Sequence, residues 1–405
     1  MENTPWRIII LGAAASLLLL VSVYFVALPK RVSMDEEKVE RIMEFKDAYF
    51  SGRDNGKKVW EFFAKHGWAG KDNEITYLEN VTGGKFFKDG DLIVKNLKAP
   101  RVKAWRQSKI VEAYGLPENV TTGESRLLAT IAFTPKGKRK YAALTADTII
   151  YNPDNKTSNV SGRIRLKNQG STLFAEQMLI DHDKEISNLI GSLEVLRKDI
   201  ALSCGLMDYF AKDERMVCRD KVRSKISGKP NKTAVNCEYM ELFADENKDM
   251  YALGSLEVIQ GKKTAWSDHL TYNKANRRII LTGKVKTVIE KARALLKAQT
   301  IKKLDSEEQK KLLREKTLLD SDTLKLSTKN GDAKASGNVL VTQKGRQAKA
   351  DSAEYSEKTE SITLIGNVYL KKENQWIRCQ KINISVKDEI FDAIGSVEAE
   401  FKLKK

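Results

Sequence analysis

Ala350-Asp351-Ser352-Ala353-Glu354-Tyr355, a polar turn, and then Ile362-Thr363-Leu364-Ile365-Gly366-Asn367-Val368 form the stretch on which the reading of this chain turns. Leu364, Val368 and Leu370 keep an even spacing, the period of a β-strand and not of a helix. Gly366 sits inside that strand, with Tyr355 eleven residues before it and Val368 two after it. A glycine in the middle of a strand pattern predicts a bend or bulge, where the strand turns a corner or another backbone approaches closely.

The same ruler fits much of the chain. Gly162, Gly191, Gly254, Gly283, Gly337, Gly366 and Gly395 are marks of one repeat, and Asp220 occupies an eighth mark. Five of the seven intervals are 29 residues, and the other two, 34 and 54, are that period with insertions of 5 and 25. Two residues after the marks stand Ile164, Leu193, Val222, Leu256, Val285, Val339, Val368 and Val397. Eleven residues before them stand Tyr151, Ile180, Tyr209, Phe243, Tyr272, Leu326, Tyr355 and Ile384. A fixed period of this kind predicts a fold built by stacking one supersecondary unit.

Within a unit the two apolar runs flank polar turn residues, as in Asn152-Pro153-Asp154-Asn155, Asp181-His182-Asp183, Asn273 to Asn276 and Lys387-Asp388-Glu389. Each unit therefore reads as strand, short turn, strand. Eight units predict about sixteen or more short strands, which two sheets folded over one another or a parallel solenoid would bury. Connections of about five residues favour antiparallel pairing, since a parallel pair needs a crossover of a dozen or more.

The run Ala-Asp/Glu, apolar residue, Tyr, polar turn, Ile-x-Leu-x-Gly-x-Val resembles the OstA-like β-jellyroll repeat of the periplasmic lipopolysaccharide-transport proteins. Weaker copies stand at Ala146-Asp147 with Tyr151, Ser267-Asp268 with Tyr272, and Ser321-Asp322 with Leu326, so the likeness covers residues 141–405. It implies an all-β fold, an elongated antiparallel β-jellyroll folded like a V. It also implies a non-enzymatic role without cofactors.

Ile8 to Leu28 is a 21-residue apolar run without charge, long enough to span a bilayer of about 30 Å. Residues 1–31 are expected to be an N-terminal transmembrane anchor, with a cleaved signal peptide as the rival. Positive charge flanks both ends, so charge alone does not orient it; the resemblance places the chain in the bacterial inner membrane with its bulk in the periplasm. Residues 32–140 are expected to be a linker and a degenerate jellyroll start, where 45–140 resemble the anchored LptC family through Val59-Trp60-Glu61-Phe62-Phe63-Ala64 and Ile75-Thr76-Tyr77-Leu78-Glu79-Asn80-Val81. The chain is thus expected to be an LptC-like start continued into an LptA/OstA-like jellyroll at 141–405. A helical insertion is expected near 287–320, where Leu295, Leu296, Ile301, Leu304, Leu312 and Leu313 follow a helical period and Ser306-Glu307-Glu308-Gln309 reads as a capping box.

The 405 residues carry a net charge of +17, which points to anionic partners. No zinc-finger, RNP-like or helix-turn-helix pattern supports nucleic acid, whereas phosphorylated glycolipid fits the same charge. Lys138, Arg139, Lys262 and Arg277 are candidate phosphate or headgroup contacts, and each also reads as part of a solvated basic turn. Cys204 and Cys379 fall sixteen residues before a mark, where other copies have alanine or serine, and Cys218 falls two before one. These are core slots and predict free buried thiols, with Cys204 and Cys218 the pair to test for a disulfide in an oxidising periplasm. No CxxC spacing indicates a metal, and His66, His182 and His269 belong to no catalytic motif.

The expected mechanism is lipid conduction. Tyr151, Ile164, Leu193, Tyr272, Val285, Val339, Tyr355 and Val368 would line an apolar trough for the acyl chains of lipopolysaccharide. Burial there contributes about 0.8 kcal/mol per methylene. Free edge strands are templates for strand addition. By resemblance, the N-terminal edge would take the jellyroll of the inner-membrane ABC exporter. The C-terminal strand from Val397 to Phe401 would take another jellyroll or the outer-membrane receptor. A structural envelope scaffold, or a carrier of another amphiphile such as phospholipid, is the alternative.

Overall fold

The computed structural model describes residues 41–401 apart from 71–72, 116–125, 133–140, 169, 229–231, 244, 246–247, 291–314 and 386–389. The described residues hold 24 strands, all in one hydrogen-bonded sheet. Six precede the repeat: β1 (Met43–Asp54), β2 (Lys57–Ala69), β3 (Ile75–Lys88), β4 (Asp91–Trp105), β5 (Val111–Tyr114) and β6 (Leu127–Ala132). The first units of the repeat become β7 (Tyr141–Ala146) and β8 (Thr148–Asn152) with β9 (Thr157–Asn168), β10 (Ser171–Asp181) with β11 (Ile186–Leu196), and β12 (Ile200–Phe210) with β13 (Arg215–Ile226). Next come β14 (Thr233–Phe243) with β15 (Met250–Gln260), and β16 (Lys263–Asn273) with β17 (Arg278–Ile289). The last three are β18 (Thr317–Ser327) with β19 (Ala333–Gln343), β20 (Arg346–Ser356) with β21 (Ser361–Lys372), and β22 (Gln375–Ser385) with the split pair β23 (Ile390–Ile394) and β24 (Glu398–Glu400).

From β9 to β22 each strand pairs antiparallel with the next, and β23 and β24 both pair with β22, so the short turns exclude the parallel solenoid. Polar side chains close those turns. The Asn152 carboxamide oxygen accepts from the backbone N–H of Asp154 at 3.0 Å and Asn155 at 3.2 Å, and Asp181 does the same for Asp183 and Lys184.

At the marks the register shifts. In β17 the ladder to β16 jumps from Thr282↔His269 to Lys286↔Trp266, and both Gly283 (φ 84°) and Lys284 (φ 46°) are left-handed. Two successive left-handed residues bend the strand, and the bend recurs at Gly162-Arg163, Gly254-Ser255, Gly337-Asn338 and Gly366-Asn367. On either side of the bend Leu281 and Val285 are both buried. No helix among the described residues covers that inner face. The two halves of the bent sheet therefore bury each other.

Inside the bend a large residue meets a small one. Each aliphatic two residues past a mark pairs with the small slot of the next strand, as Ile164↔Ala175, Leu193↔Cys204, Val222↔Cys237, Val285↔Ser321, Val339↔Ala350 and Val368↔Cys379. The inner angle of a fold has little room, so bulk on one strand requires its absence on the neighbour. All four cysteines are free and buried, three of them in this slot.

The boundaries of the expected insertion need correction. Alternation does not stop at Lys286: Val285, Thr287 and Ile289 are buried in turn, and β18 has begun by Thr317. Thr287, Val288, Ile289 and Thr317 are β-branched, which suits a pleated surface and explains why 287–289 and 317–320 stay in the sheet. The expected helix of the insertion, like the anchor at 1–31, lies outside the described residues. Among the described residues no helix is long and apolar enough to cross a membrane.

Candidate functional site

The corners are held from outside by a polar clasp. Asp322 accepts a hydrogen bond from Asn338 Nδ2 at 2.9 Å, and Asp351 accepts one from Asn367 Nδ2 at 3.0 Å. Glu238 accepts from Ser255 Oγ at 2.6 Å, and Asp147 pairs with Arg163 Nη2 at 2.7 Å. The acid of the Ala-Asp/Glu signature therefore fastens the residue after the marked glycine on the neighbouring strand. Its role is architectural.

The interior is filled with side chains over much of its length. Of the residues expected to line a trough, Tyr151, Ile164, Leu193, Tyr272, Val285 and Val339 belong to one continuous buried cluster running from Val59 to Val339. Val368 belongs to a smaller cluster with Ala350, Leu364, Cys379 and Ile382. Space opens near the passage from one cluster to the other. A cavity of about 220 Å³ is walled by Leu319, Leu324, Leu326, Val341, Ile362 and Leu370, with Tyr355 also on its wall. A larger, more open space of about 520 Å³ shares Val341, Ala348, Leu370 and Ile384 with it and is bordered by Arg346, Lys371, Lys372, Trp376 and Phe401. An apolar chamber thus runs into a basic, aromatic mouth near the last strands.

Polar atoms on the chamber wall divide into two groups. Gln260 donates to Thr233 Oγ1 at 3.2 Å, and Gln343 donates to Thr317 Oγ1 at 3.2 Å, so these cross-strand pairs are satisfied within the sheet. Thr287 Oγ1 is buried and has no partner among the described residues. The Lys263 ammonium stands 5.3 Å from the ring centroid of Tyr355, and burial lowers its proton affinity against a smaller opposing pull from Glu357. The Tyr355 hydroxyl donates to Glu357 Oε2 at 2.8 Å, and burial together with that bond holds the phenol well above its ordinary range.

The basic candidates fall elsewhere. Lys262 is exposed in the β15–β16 turn and Arg277 is exposed in the β16–β17 turn, while Lys138 and Arg139 lie outside the described residues. Lys263, beside Lys262, is the one that lines the cavity. Parity carries this signal: Lys263 shares a strand face with buried Ala265. Val397 and Phe401 are 51% and 62% exposed, and the last strand, β24, pairs with β22 through Trp376↔Glu400 and Arg378↔Glu398.

One polar cluster was not legible in the sequence. The Ser158 hydroxyl and His182 Nε2 share a hydrogen bond of 2.8 Å in the interior, and Lys88 Nζ donates to the His182 carbonyl at 2.5 Å and pairs with Asp183 at 2.8 Å. Burial, aided by the Lys88 charge, pushes the imidazole down to about 4. The ring is neutral at pH 7 and fastens the turn after β10 to β9, while Lys88 ties β3 to the same turn.

The molecule is all-β, a long antiparallel series of bent strands enclosing an apolar interior. Residues 244–390 match the family described as LptA/(LptD N-terminal domain) LPS transport protein. The stretch from Ala350 to Val368 falls inside the matched segment. Among solved structures, the crystal structure of LptH, the LptA homologous periplasmic component of the conserved lipopolysaccharide transport device from Pseudomonas aeruginosa, is similar at 12% identity. That match covers 44% of this chain and 99% of the other, with a TM-score of 0.21. No curated protein matches the chain.

Proposed function

We propose that this chain is a non-enzymatic periplasmic lipid conduit, which holds the acyl chains of lipopolysaccharide in its apolar interior and bridges an inner-membrane exporter toward the outer membrane. The observation that carries this reading is the apolar chamber between Leu319 and Leu370, inside the segment that matches a family of lipopolysaccharide-transport proteins. An acyl chain along this aliphatic wall makes dispersion contacts with it and leaves water at about 0.8 kcal/mol per methylene.

In this reading residues 1–31 anchor the chain in the inner membrane, 32–140 form an LptC-like start, and 141–405 form the conduit. Tyr355 is the expected trough residue that already lines the chamber. Tyr151, Ile164, Leu193, Tyr272, Val285, Val339 and Val368 would become accessible to lipid only if the halves of the sheet part. Lys262 and Arg277, exposed on turns, remain proposed headgroup contacts, with Lys138 and Arg139. The free side of β1 would accept the exporter's jellyroll, and the segment from Val397 to Phe401 would accept a further jellyroll or the outer-membrane receptor.

The closed packing of the cluster from Val59 to Val339 favours a second reading, a structural scaffold of the envelope. Photo-crosslinking in cells separates the two, with a photoreactive residue at Tyr355 or Leu319 and at outward Lys286 as control. Lipopolysaccharide adducts from the inner positions alone support the conduit. Folded protein that gives none supports the scaffold, and adducts to phospholipid alone identify a carrier of another amphiphile.

A further inference from the structure

Burying a lysine ammonium among aliphatic side chains is costly, and such a charge is ordinarily paired. Lys263 lines the apolar chamber, yet among the described residues it forms no ion pair and donates no hydrogen bond. The acid that acts on it, Glu357, already accepts the Tyr355 hydroxyl. The Lys263 ammonium has only the Tyr355 ring beside it, and on the same wall the buried Thr287 Oγ1 has no partner among the described residues. Lys263 pairs across the strands with Ile289 and Ala265 pairs with Thr287, so Thr287 is the diagonal neighbour of Lys263, within reach of its four-carbon stem. A cation on the chamber wall thus has beside it a buried hydroxyl without a partner, which a side-chain rotation can offer to the space, while the neighbouring polar pairs, Gln260 with Thr233 and Gln343 with Thr317, are satisfied.

We propose that Lys263 and Thr287 form an anion-binding point inside the chamber, which takes the acidic group of an acyl amphiphile, a carboxylate or a phosphate, while its chain lies along Leu319, Leu326 and Val341. This rests on the lipid-conduit reading and adds to it that the interior recognises charge as well as chain. The chamber exceeds the roughly 150 Å³ at which an apolar protein cavity already takes a small hydrocarbon. It therefore has room for part of a chain beside the acid group. Charge-assisted hydrogen bonds from an ammonium in a low-dielectric site are stronger than those of an exposed lysine, so this position contributes selectivity that turn lysines cannot.

The test uses the full chain, kept in solution by an amphipathic polymer in place of detergent, with an environment-sensitive apolar fluorophore bound. Dodecyl phosphate, dodecanoate, dodecanol and inorganic phosphate are titrated against it. The expected result is displacement by the two acidic amphiphiles at about tenfold lower concentration than by dodecanol, and none by inorganic phosphate. Lys263→Met, which keeps the stem and removes the charge, abolishes the preference and still binds dodecanol; the exposed-lysine control Lys286→Met keeps the preference. Thr287→Val weakens it. Preference that survives Lys263→Met, no preference in the unsubstituted chain, or displacement by inorganic phosphate alone overturns the proposal and leaves the conduit reading standing. Binding of none of the alkyl compounds to the unsubstituted chain overturns the conduit reading itself.

Discussion

The Asp220 side chain occupies the space in front of Gly205, its Cγ 3.0 Å from the point where a side chain on Gly205 would begin. Elsewhere the arrangement is reversed: the glycine holds the mark and the acid stands on the neighbouring strand, as Gly283 faces Asp268 and Gly366 faces Asp351. The third unit has exchanged the two residues across one corner. Aspartate is among the few non-glycine residues that tolerate the left-handed backbone, and Asp220 adopts φ 64°. The corner pairs a glycine with an acid, or with Gln380 at Gly395, and either strand can supply the glycine.

That relationship predicts a coupling. Gly205→Ala should destabilise the protein by about 2 kcal/mol, because the new methyl group meets the Asp220 carboxylate. Asp220→Gly in the same chain should restore most of the loss, with a coupling of about 1 kcal/mol or more in a double-mutant cycle from denaturant unfolding. Additive effects would show that the two side chains do not compete for one space.

Acid should weaken the fold through His182. Its folded-state value, about 4, lies below the ordinary 6.5, so the unfolded chain takes up the proton first as pH falls. The contribution of the neutral ring is complete above 6.5, fades between 6.5 and 4, and is gone below that, a difference on the order of 3 kcal/mol. Unfolding free energy measured from pH 7 to 4 should fall accordingly, and His182→Gln should flatten that part of the profile. A variant with an unchanged slope would assign the acid sensitivity to other groups.

The thiols should be inert in the folded protein. All four cysteines are buried, and this shielding keeps them from reagents. Burial raises the Cys237 thiol to about 12, and the hydrogen bond shared by Cys204 and Cys218, together with burial, raises Cys218 while it lowers Cys204. Iodoacetamide is expected to label no cysteine natively and all four in denaturant. Two unlabelled cysteines in denaturant that become reactive after reduction would instead reveal the Cys204–Cys218 disulfide.

Filling the chamber should block it. Ala348 lines both spaces, and Ala348→Leu places three extra carbons where they meet. Binding of an apolar fluorophore should weaken by about tenfold, with a stability change below about 1.5 kcal/mol since the volume is already empty. Unchanged binding in a folded variant would locate the lipid elsewhere.

Within the repeat, the strands, the preference for antiparallel order and the marked corners were legible in the sequence because they are local, whereas the strands before residue 141 carry no such marks. A two-residue period, a turn such as Asn152-Pro153-Asp154-Asn155 and a glycine mark each act within one hairpin. The small slots of Cys204 and Cys379 were legible for the same reason, since the repeat aligns them with alanine. Which residues face empty space was not. Tyr272 and Tyr355 share a column of the repeat, yet one is enclosed in the continuous core and the other looks into the chamber. That difference depends on the summed volumes of side chains from several strands on both halves of the sheet, which no single period encodes. Likewise the acid of the signature could be seen, but its purpose, to clasp the corner of the neighbouring strand, exists only once pairing has set Asp351 against Gly366. The sequence by itself determined the unit and its repetition; the tertiary structure decided where the stack closes and where it stays open.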